Sequence, residues 1–268
     1  MLTRDPHQLT IGNLIDFVHD TASNRSGDKP NTIELKNNDL WLNIGSAFPL
    51  FNGIFKFGLD ESHLKEELQE AKKYFKDLEF SYWIMKQPDN DVLNILSQEG
   101  FVSAGEYTGL IHNITDDRYK CEYPEGVKVR VVDSQSDYHI FSNLLTKTFK
   151  SPLSIHQEFA EMFNPFTFQS PLTHYIGYYN HEPVSAITSY INGSQVGLYN
   201  GATLPEFRNK GIFTTLFSVA LNDAKERNCK TAVGQLMGKK MAGGVTTKFG
   251  FKEVCYFTPF IFGKTVEP

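Results

Sequence analysis

Cysteine is scarce, with Cys121, Cys229 and Cys255 the three in 268 residues. An odd, scattered set with no C-x-x-C pair gives no disulfide framework and points away from a zinc or redox site. No metal is therefore expected, and the thiols read as buried and reduced. No uninterrupted apolar run approaches the roughly 18 residues that a membrane helix needs. The opening MLTRDPHQLT lacks the apolar core of a secretion signal. A cytoplasmic location with no membrane partner is the default expectation. Three catalytic or phosphate-binding patterns are also missing: G-x-x-x-x-G-K-[ST], G-x-S-x-G and H-E-x-x-H. No run of basic and aromatic residues offers a surface to nucleic acid.

What is present describes a folded chain. Hydrophobic residues make up 40% and charged residues 21%, and 22 Phe with 12 Tyr supply ample core area. The net charge of −5 is unevenly spread: residues 1–120 hold 19 acidic and 12 basic side chains, net −7, and residues 121–268 hold 12 and 14, net +2. An acidic first half can attract a cationic acceptor, although a solvated acidic face is the plainer reading.

The most informative stretch is VGLYNGATLPEFRNKGIFTTLFSVAL, residues 196–221. An apolar strand-like run ends at Leu204-Pro205. A turn carrying Arg208, Asn209, Lys210 and Gly211 then opens a helix with an apolar stripe at Ile212, Leu216, Val219 and Ala220. No Asp, Ser or Thr stands just before that helix to cap its first amides. Those amides and the positive helix end suit an anion such as a pyrophosphate, and Arg208 and Lys210 add charge there. Gly211 lets a ligand approach the backbone without meeting a Cβ.

Arg208-Asn209-Lys210-Gly211-Ile212-Phe213, after a strand and a proline, resembles the acyl-CoA loop of the GNAT N-acetyltransferases. Met241-Ala242-Gly243-Gly244-Val245-Thr246-Thr247-Lys248-Phe249-Gly250-Phe251 is similar to the helix and Gly-Phe turn before that family's last strands. The likeness spans roughly residues 127–262, about half the chain. It implies an α/β (α+β, mixed-sheet) acyltransferase fold and acetyl-CoA as co-substrate. The acceptor would be a primary amine of a small molecule or peptide. It also implies that the backbone of Ala202 and Leu204 pairs with the pantetheine arm, and that the amides of Arg208, Asn209, Lys210, Gly211, Ile212 and Phe213 hold the pyrophosphate.

Attack of an amine on a thioester needs a neutral amine, a donor for the oxyanion and a proton for the departing thiolate. Two positions depart from the family pattern. Phe213 stands where Gly or Ala is usual; its amide stays available, while its ring crowds the cofactor. Thr246 stands where a tyrosine acid is usual, five residues before Phe251. Tyr199 and Tyr256 are alternative proton donors, and packing tyrosines are the plainer reading of both. Asn200 can orient an acceptor or a water without taking a proton. Glu182, His156 and His174 are unsupported as bases. A decayed CoA-binding or scaffold protein is the alternative to an enzyme.

The rest of the second half reads as strands at residues 127–132, 173–179, 183–191, 195–204, 230–236 and 252–262, with helices at 138–149, 154–163, 211–227 and 241–248. The first half reads as a worn copy of the same plan. It has strands at 40–45, 80–85 and 100–114 and helices at 63–78 and 92–98, with Gly100-Phe101 standing where Gly250-Phe251 does. Its counterpart of the phosphate loop, residues 48–58, is apolar and has no Arg-x-x-Gly, so no CoA is expected there. Two domains follow, residues 1–122 without an acyl-CoA loop and residues 123–268 with one, joined near residues 119–126.

Overall fold

The computed structural model describes residues 6–25, 27–58, 61–115, 117–150, 152–166, 171–238, 244 and 248–263. In chain order the elements are α1 (Pro6–Ala22), β1 (Thr32–Lys36), β2 (Asp39–Asn43), β3 (Gly53–Lys56), α2 (Leu64–Phe75), β4 (Phe80–Ile84), α3 (Asn90–Gln98), β5 (Phe101–Ser103) and β6 (Tyr107–Asn113). They continue with β7 (Val127–Val131), α4 (Gln135–Phe149), α5 (Leu153–Met162), β8 (Leu172–Tyr179), β9 (Glu182–Asn192), β10 (Gln195–Thr203), α6 (Ile212–Glu226), β11 (Thr231–Met237) and β12 (Lys252–Phe262). The expected helix at 241–248 falls almost wholly outside the described residues.

Two compact units result, and neither is contiguous. One gathers Met1–Leu110, Gln235–Gly243 and Glu253–Pro268; the other gathers Ile111–Gly234 and Gly244–Lys252. The expected domains, 1–122 and 123–268, are contiguous, and the difference has a structural cause. Residues 258–262 of β12 pair antiparallel with β4, and 260–262 with β5, so the last strand completes the sheet of the first unit. Residues 119–126 are not a free linker either. Tyr119 and Asn222 of α6 exchange hydrogen bonds of 2.9 Å, the Thr215 hydroxyl donates to the Glu122 carbonyl, and Pro124 packs on Gly211.

In the first unit β1 and β2 form a hairpin turned at Asn37-Asn38, both left-handed with φ of 52° and 66°, a conformation Asn tolerates. β2 pairs antiparallel with β3, and β3 runs parallel to β4 through every residue from Gly53↔Ser81 to Lys56↔Ile84. A parallel pair needs a crossover, here α2. Leu64, Leu68, Ala71 and Phe75 recur at helical spacing along it and are buried, with Phe75 stacked on Phe80 at 4.4 Å. Glu66 and Glu67 in its first turn and Lys72 and Lys73 in its last suit the helix dipole.

At the end of β3 a lysine is buried. Lys56 is 6% exposed and binds the carboxylates of Asp39 and, at 2.8 Å, Glu67, which also accepts from the Tyr82 hydroxyl at 2.9 Å. Burial works against the Lys56 cation, but the two carboxylates outweigh it and raise its pKa. Burial raises the pKa of Asp39 more than Lys56 lowers it.

The second unit has the mixed sheet that carries the candidate site. β7, β8, β9 and β10 pair antiparallel in sequence, and β11 joins β10 in parallel. Alternation along β8 sends Ile176 and Tyr178 to a core with Tyr138, Phe141, Leu144 and Leu145 of α4. Gly177 faces the other way and makes room for Ile212 of α6, whose Cγ2 would lie 2.9 Å from a Cβ there. Helices thus cover both faces.

Removing the cation tests the buried cluster of the first unit. Lys56→Met leaves the buried Asp39 and the half-buried Glu67 without their cation and should cost about 3–5 kcal/mol in urea unfolding. A loss below about 1 kcal/mol, the surface ion-pair range, would show that the carboxylates do not depend on it.

Candidate active site

Asn-Gly inside an apolar strand signals an irregularity, and β10 has one there. Its register against β9 reads Tyr199↔Thr188 and then Ala202↔Ala186, so Asn200 and Gly201 together oppose Ile187. This β-bulge holds Asn200 at a left-handed φ of 54°. On its other side β10 pairs with β11 from Gln195↔Thr231 to Gly197↔Val233 and no further, although β10 continues to Thr203.

Hydrogen bonds decide which groups that freed edge offers. The Leu204 N–H donates to the Val184 carbonyl at 3.0 Å, so Ala202 and Leu204 face β9. The Ala202 carbonyl accepts from Ser185 Oγ at 2.8 Å, and the Leu204 carbonyl from the Phe207 N–H at 3.0 Å. These two residues, expected to face a pantetheine arm, are engaged within the unit. The extra residue of the bulge turns Gly201 and Thr203 to the free edge instead.

The turn that follows leads into α6. Arg208 Nε donates to the Thr203 carbonyl at 3.1 Å, and Asn209 and Gly211 are left-handed at 62° and 77°. Arg208, Asn209, Lys210 and Gly211 are exposed, and the Lys210 ammonium lies 5.3 Å from the centre of the Tyr179 ring. Side chains cap α3 (Asp89) and α4 (Ser134), but the N-cap of α6 is Gly211, with no side-chain bond. The first helical bond is Thr215 N–H to Gly211 O at 3.0 Å, leaving the amides of Ile212, Phe213 and Thr214 without an intrahelical acceptor. Phe213 does not point away from the strand. A Cβ on Gly201 would sit 2.9 Å from its Cζ, so the ring lies on the bulge, backed by Phe217 at 5.9 Å.

A polar chain runs inward from the same bulge. Asn200 Nδ2 donates to Thr188 Oγ1 at 3.1 Å, Thr188 Oγ1 meets His174 Nδ1 at 2.9 Å, and His174 Nε2 meets the Phe163 carbonyl at 2.7 Å. His174 is 1% exposed, packed against Phe141 and Tyr138. Burial brings its pKa down to about 4, so the ring is neutral at neutral pH.

The remaining candidates scatter. Tyr199 is buried on β10 beside the bulge. Tyr256 lies on β12 in the first unit, 42% exposed, and its hydroxyl donates to Glu253 at 2.9 Å, which raises its pKa. Glu182 is exposed at the tip of the β8–β9 hairpin, and His156 of α5 bonds Thr146 of α4. Thr246 lies outside the described residues.

A bulged central strand, a freed edge and an uncapped helix beyond a cationic turn stand in one unit, and residues 138–251 match the model of the acetyltransferase (GNAT) family. That segment is a GNAT domain. No curated protein matches the chain. Among solved structures, a GCN5-related N-acetyltransferase from Kribbella flavida is 14% identical with a TM-score of 0.66, over 96% of this chain and 97% of that one. A functionally unknown conserved protein from Staphylococcus epidermidis gives the same identity and TM-score over 90% and 95%. A tandem GNAT protein from the clavulanic acid biosynthesis pathway is 11% identical with a TM-score of 0.53 over 96% of both chains. At such identities the likeness is one of fold. No helix among the described residues is long and apolar enough to cross a membrane.

Within the GNAT domain the sequence reading brought Asn200 and the 208–213 turn to one place, and it missed Thr188 and the Phe163 carbonyl. A lone Thr in an apolar strand carries no signal; the Asn200-Gly201 pair was the available clue.

Burial of His174 makes stability depend on acidity. Its pKa is 6.5 unfolded and about 4 folded, so the unfolded chain takes up the proton first as pH falls. This contribution is full above about pH 6.5 and should decline by on the order of 3 kcal/mol toward pH 4. His174→Gln should flatten that part of the stability–pH curve measured by urea unfolding; an unchanged slope would contradict a neutral buried ring.

Proposed function

We propose that this chain is an acetyl-CoA-dependent N-acetyltransferase acting on a primary amine of a small molecule or peptide. The observation that carries this reading is the uncapped start of α6 behind Arg208 and Lys210, next to the freed edge of β10. Amides without partners and two exposed cations suit the cofactor diphosphate. The edge at Gly201 and Thr203 gives an amide-bearing pantetheine arm a strand to lie along. The engaged backbones of Ala202 and Leu204 hold β10 to β9 beside it.

The neutral amine attacks the thioester carbonyl carbon, the C–S bond breaks, and the proton lost by the nitrogen ends on the CoA thiol. A free α-amine near pKa 8 is deprotonated more readily than a lysine near 10.4. Asn200 is the polar side chain at the bulge that faces the reacting centre, and Tyr199 and Thr246 are the proposed donors to sulfur. The hydrogen bond of Tyr256 to Glu253 and its raised pKa make it the weaker choice.

The first unit, in this reading, is a degenerate copy that takes no cofactor. Its parallel pair β3–β4 stays paired along all of β3, with a further Met85 N–H to Lys56 O bond of 3.3 Å, and its lysine is spent on Asp39 and Glu67. One observation favours the non-catalytic alternative, a CoA-binding or scaffold protein: the Phe213 ring lies on Gly201, where the arm would pass.

Calorimetry with acetyl-CoA and thiol release over an amine panel separate the readings. Binding with turnover supports the enzyme, and binding without turnover on any amine supports the scaffold. Arg208→Ala with Lys210→Ala should weaken acetyl-CoA on the order of tenfold to a hundredfold, the range for charge-assisted contacts. Unchanged affinity would remove the diphosphate from this turn.

A further inference from the structure

The polar chain beneath the bulge has a direction that its end groups dictate. The Phe163 carbonyl can only accept, so His174 must carry its proton on Nε2. His174 Nδ1 is then a lone pair and takes the Thr188 hydroxyl proton. Thr188 Oγ1 in turn has only lone pairs left for Asn200, so the Asn200 amide must present Nδ2 to it. Each link leaves one choice for the next. The Asn200 amide therefore cannot flip without orphaning a buried group, and its Oδ1 is turned away from Thr188. Among the described residues nothing donates to that oxygen, yet it is not one of the buried side-chain atoms without a partner, so it is open to solvent at the bulge.

The surroundings make this arrangement stiff. His174 and Thr188 are cross-strand partners on β8 and β9, and Thr188 is also the partner of Tyr199, the residue before Asn200. His174 packs against the Tyr138 and Phe141 rings at 5.7 and 4.3 Å. Phe163 closes the chain at the end of α5, where its own N–H donates to the Phe159 carbonyl at 3.0 Å.

We propose that Asn200 Oδ1 is the acceptor that binds an N–H of the incoming amine, and that Thr188 and His174 are positioning residues that fix the amide in the orientation this requires. The inference rests on the acetyltransferase reading for the identity of its ligand. A carbonyl-type oxygen suits an amine in either protonation state and removes no proton, so Asn200 orients the nucleophile while the proton leaves by another route. A substrate bearing a donor at the nitrogen is bound; a quaternary ammonium, which has no N–H in any state, is not.

Thr188→Val and Thr188→Ser test this with glycinamide and benzylamine as acceptors. Valine keeps the volume and removes the hydroxyl; serine keeps the hydroxyl. Thr188→Val should raise the acceptor KM about tenfold, the worth of one well-placed hydrogen bond, with acetyl-CoA affinity unchanged, and Thr188→Ser should restore the KM to about twofold of wild type. A rise that serine does not rescue, or a parallel loss of acetyl-CoA affinity, would overturn the assignment as a mere loss of packing. If the wild type turns over no amine of the panel, the acetyltransferase reading fails, and nitrogen-15 NMR puts the question separately. His174 should be in the Nε2–H form between about pH 5.5 and 8. The Asn200 side-chain amide signal, assigned through Asn200→Asp, should move with benzylamine in the wild type and not in Thr188→Val. An Nδ1–H histidine, or an Asn200 signal that benzylamine leaves in place, would overturn the proposal whatever the activity.

Discussion

One extra residue in β10 governs the second unit. With Asn200 and Gly201 set against Ile187 alone, every backbone group beyond the bulge changes sides relative to a regular strand. Leu204 bonds to β9, Thr203 turns outward to receive Arg208, and β11 has already left at Gly197. The left-handed φ at Asn200 costs on the order of 1 kcal/mol or more, and the Asn200–Thr188 bond helps hold it. Gly201 has no Cβ to keep Phe213 away. Which backbone groups line the free edge, the direction of the Asn200 amide and the seat of the aromatic ring follow from that single irregularity.

The two units show what the same strand–helix–strand plan becomes without it. β3 and β4 are in register for the whole of β3, and a helix crosses between them just as α6 crosses from β10 to β11. Uninterrupted pairing leaves no gap for a ligand. The cations have opposite fates as well. Lys56 is buried and neutralised by two carboxylates, whereas Arg208 and Lys210 are exposed at the helix entrance, where no carboxylate is bonded to either among the described residues. A buried lysine bonded to two carboxylates has nothing left for a ligand; an exposed pair of cations over amides without intrahelical acceptors is open to an anion.

Legibility followed periodicity. The second half could be read nearly element by element, because its strands are runs set off by turn residues and its helices have clear stripes; the expected 211–227 helix is Ile212–Glu226, and the expected 195–204 strand is Gln195–Thr203. The first half was harder for stated reasons. α1 buries Thr10, Asn13 and Thr21 along with its apolar residues, so its inward face does not read as apolar. β1 exposes Ile33 and Leu35 and thus lacks the burial that alternation implies. β3 is four residues long and buried throughout, inside a stretch that reads as an apolar loop. The expected strand at 100–114 breaks into β5 and β6 around a left-handed Gly105. In the site, residue type and order exposed the anion turn, but register did not follow from sequence, and a bulge shifts facing by one residue.

The inward polar chain bears on what the unit is for. A neutral histidine buried to 1% exposure, with a threonine hydroxyl on one side and a carbonyl on the other, is satisfied but not economical. Apolar side chains of similar volume would fill the same space between α4 and the sheet with no hydrogen bonds to complete and no acid sensitivity. What they would not do is fix the orientation of a surface amide from beneath. The chain ends at Asn200, on the edge that β11 leaves free and three residues before the Thr203 carbonyl that holds Arg208. In folding, that end helps hold the left-handed Asn200; in the proposed acetyltransferase it also fixes the amide that receives the amine.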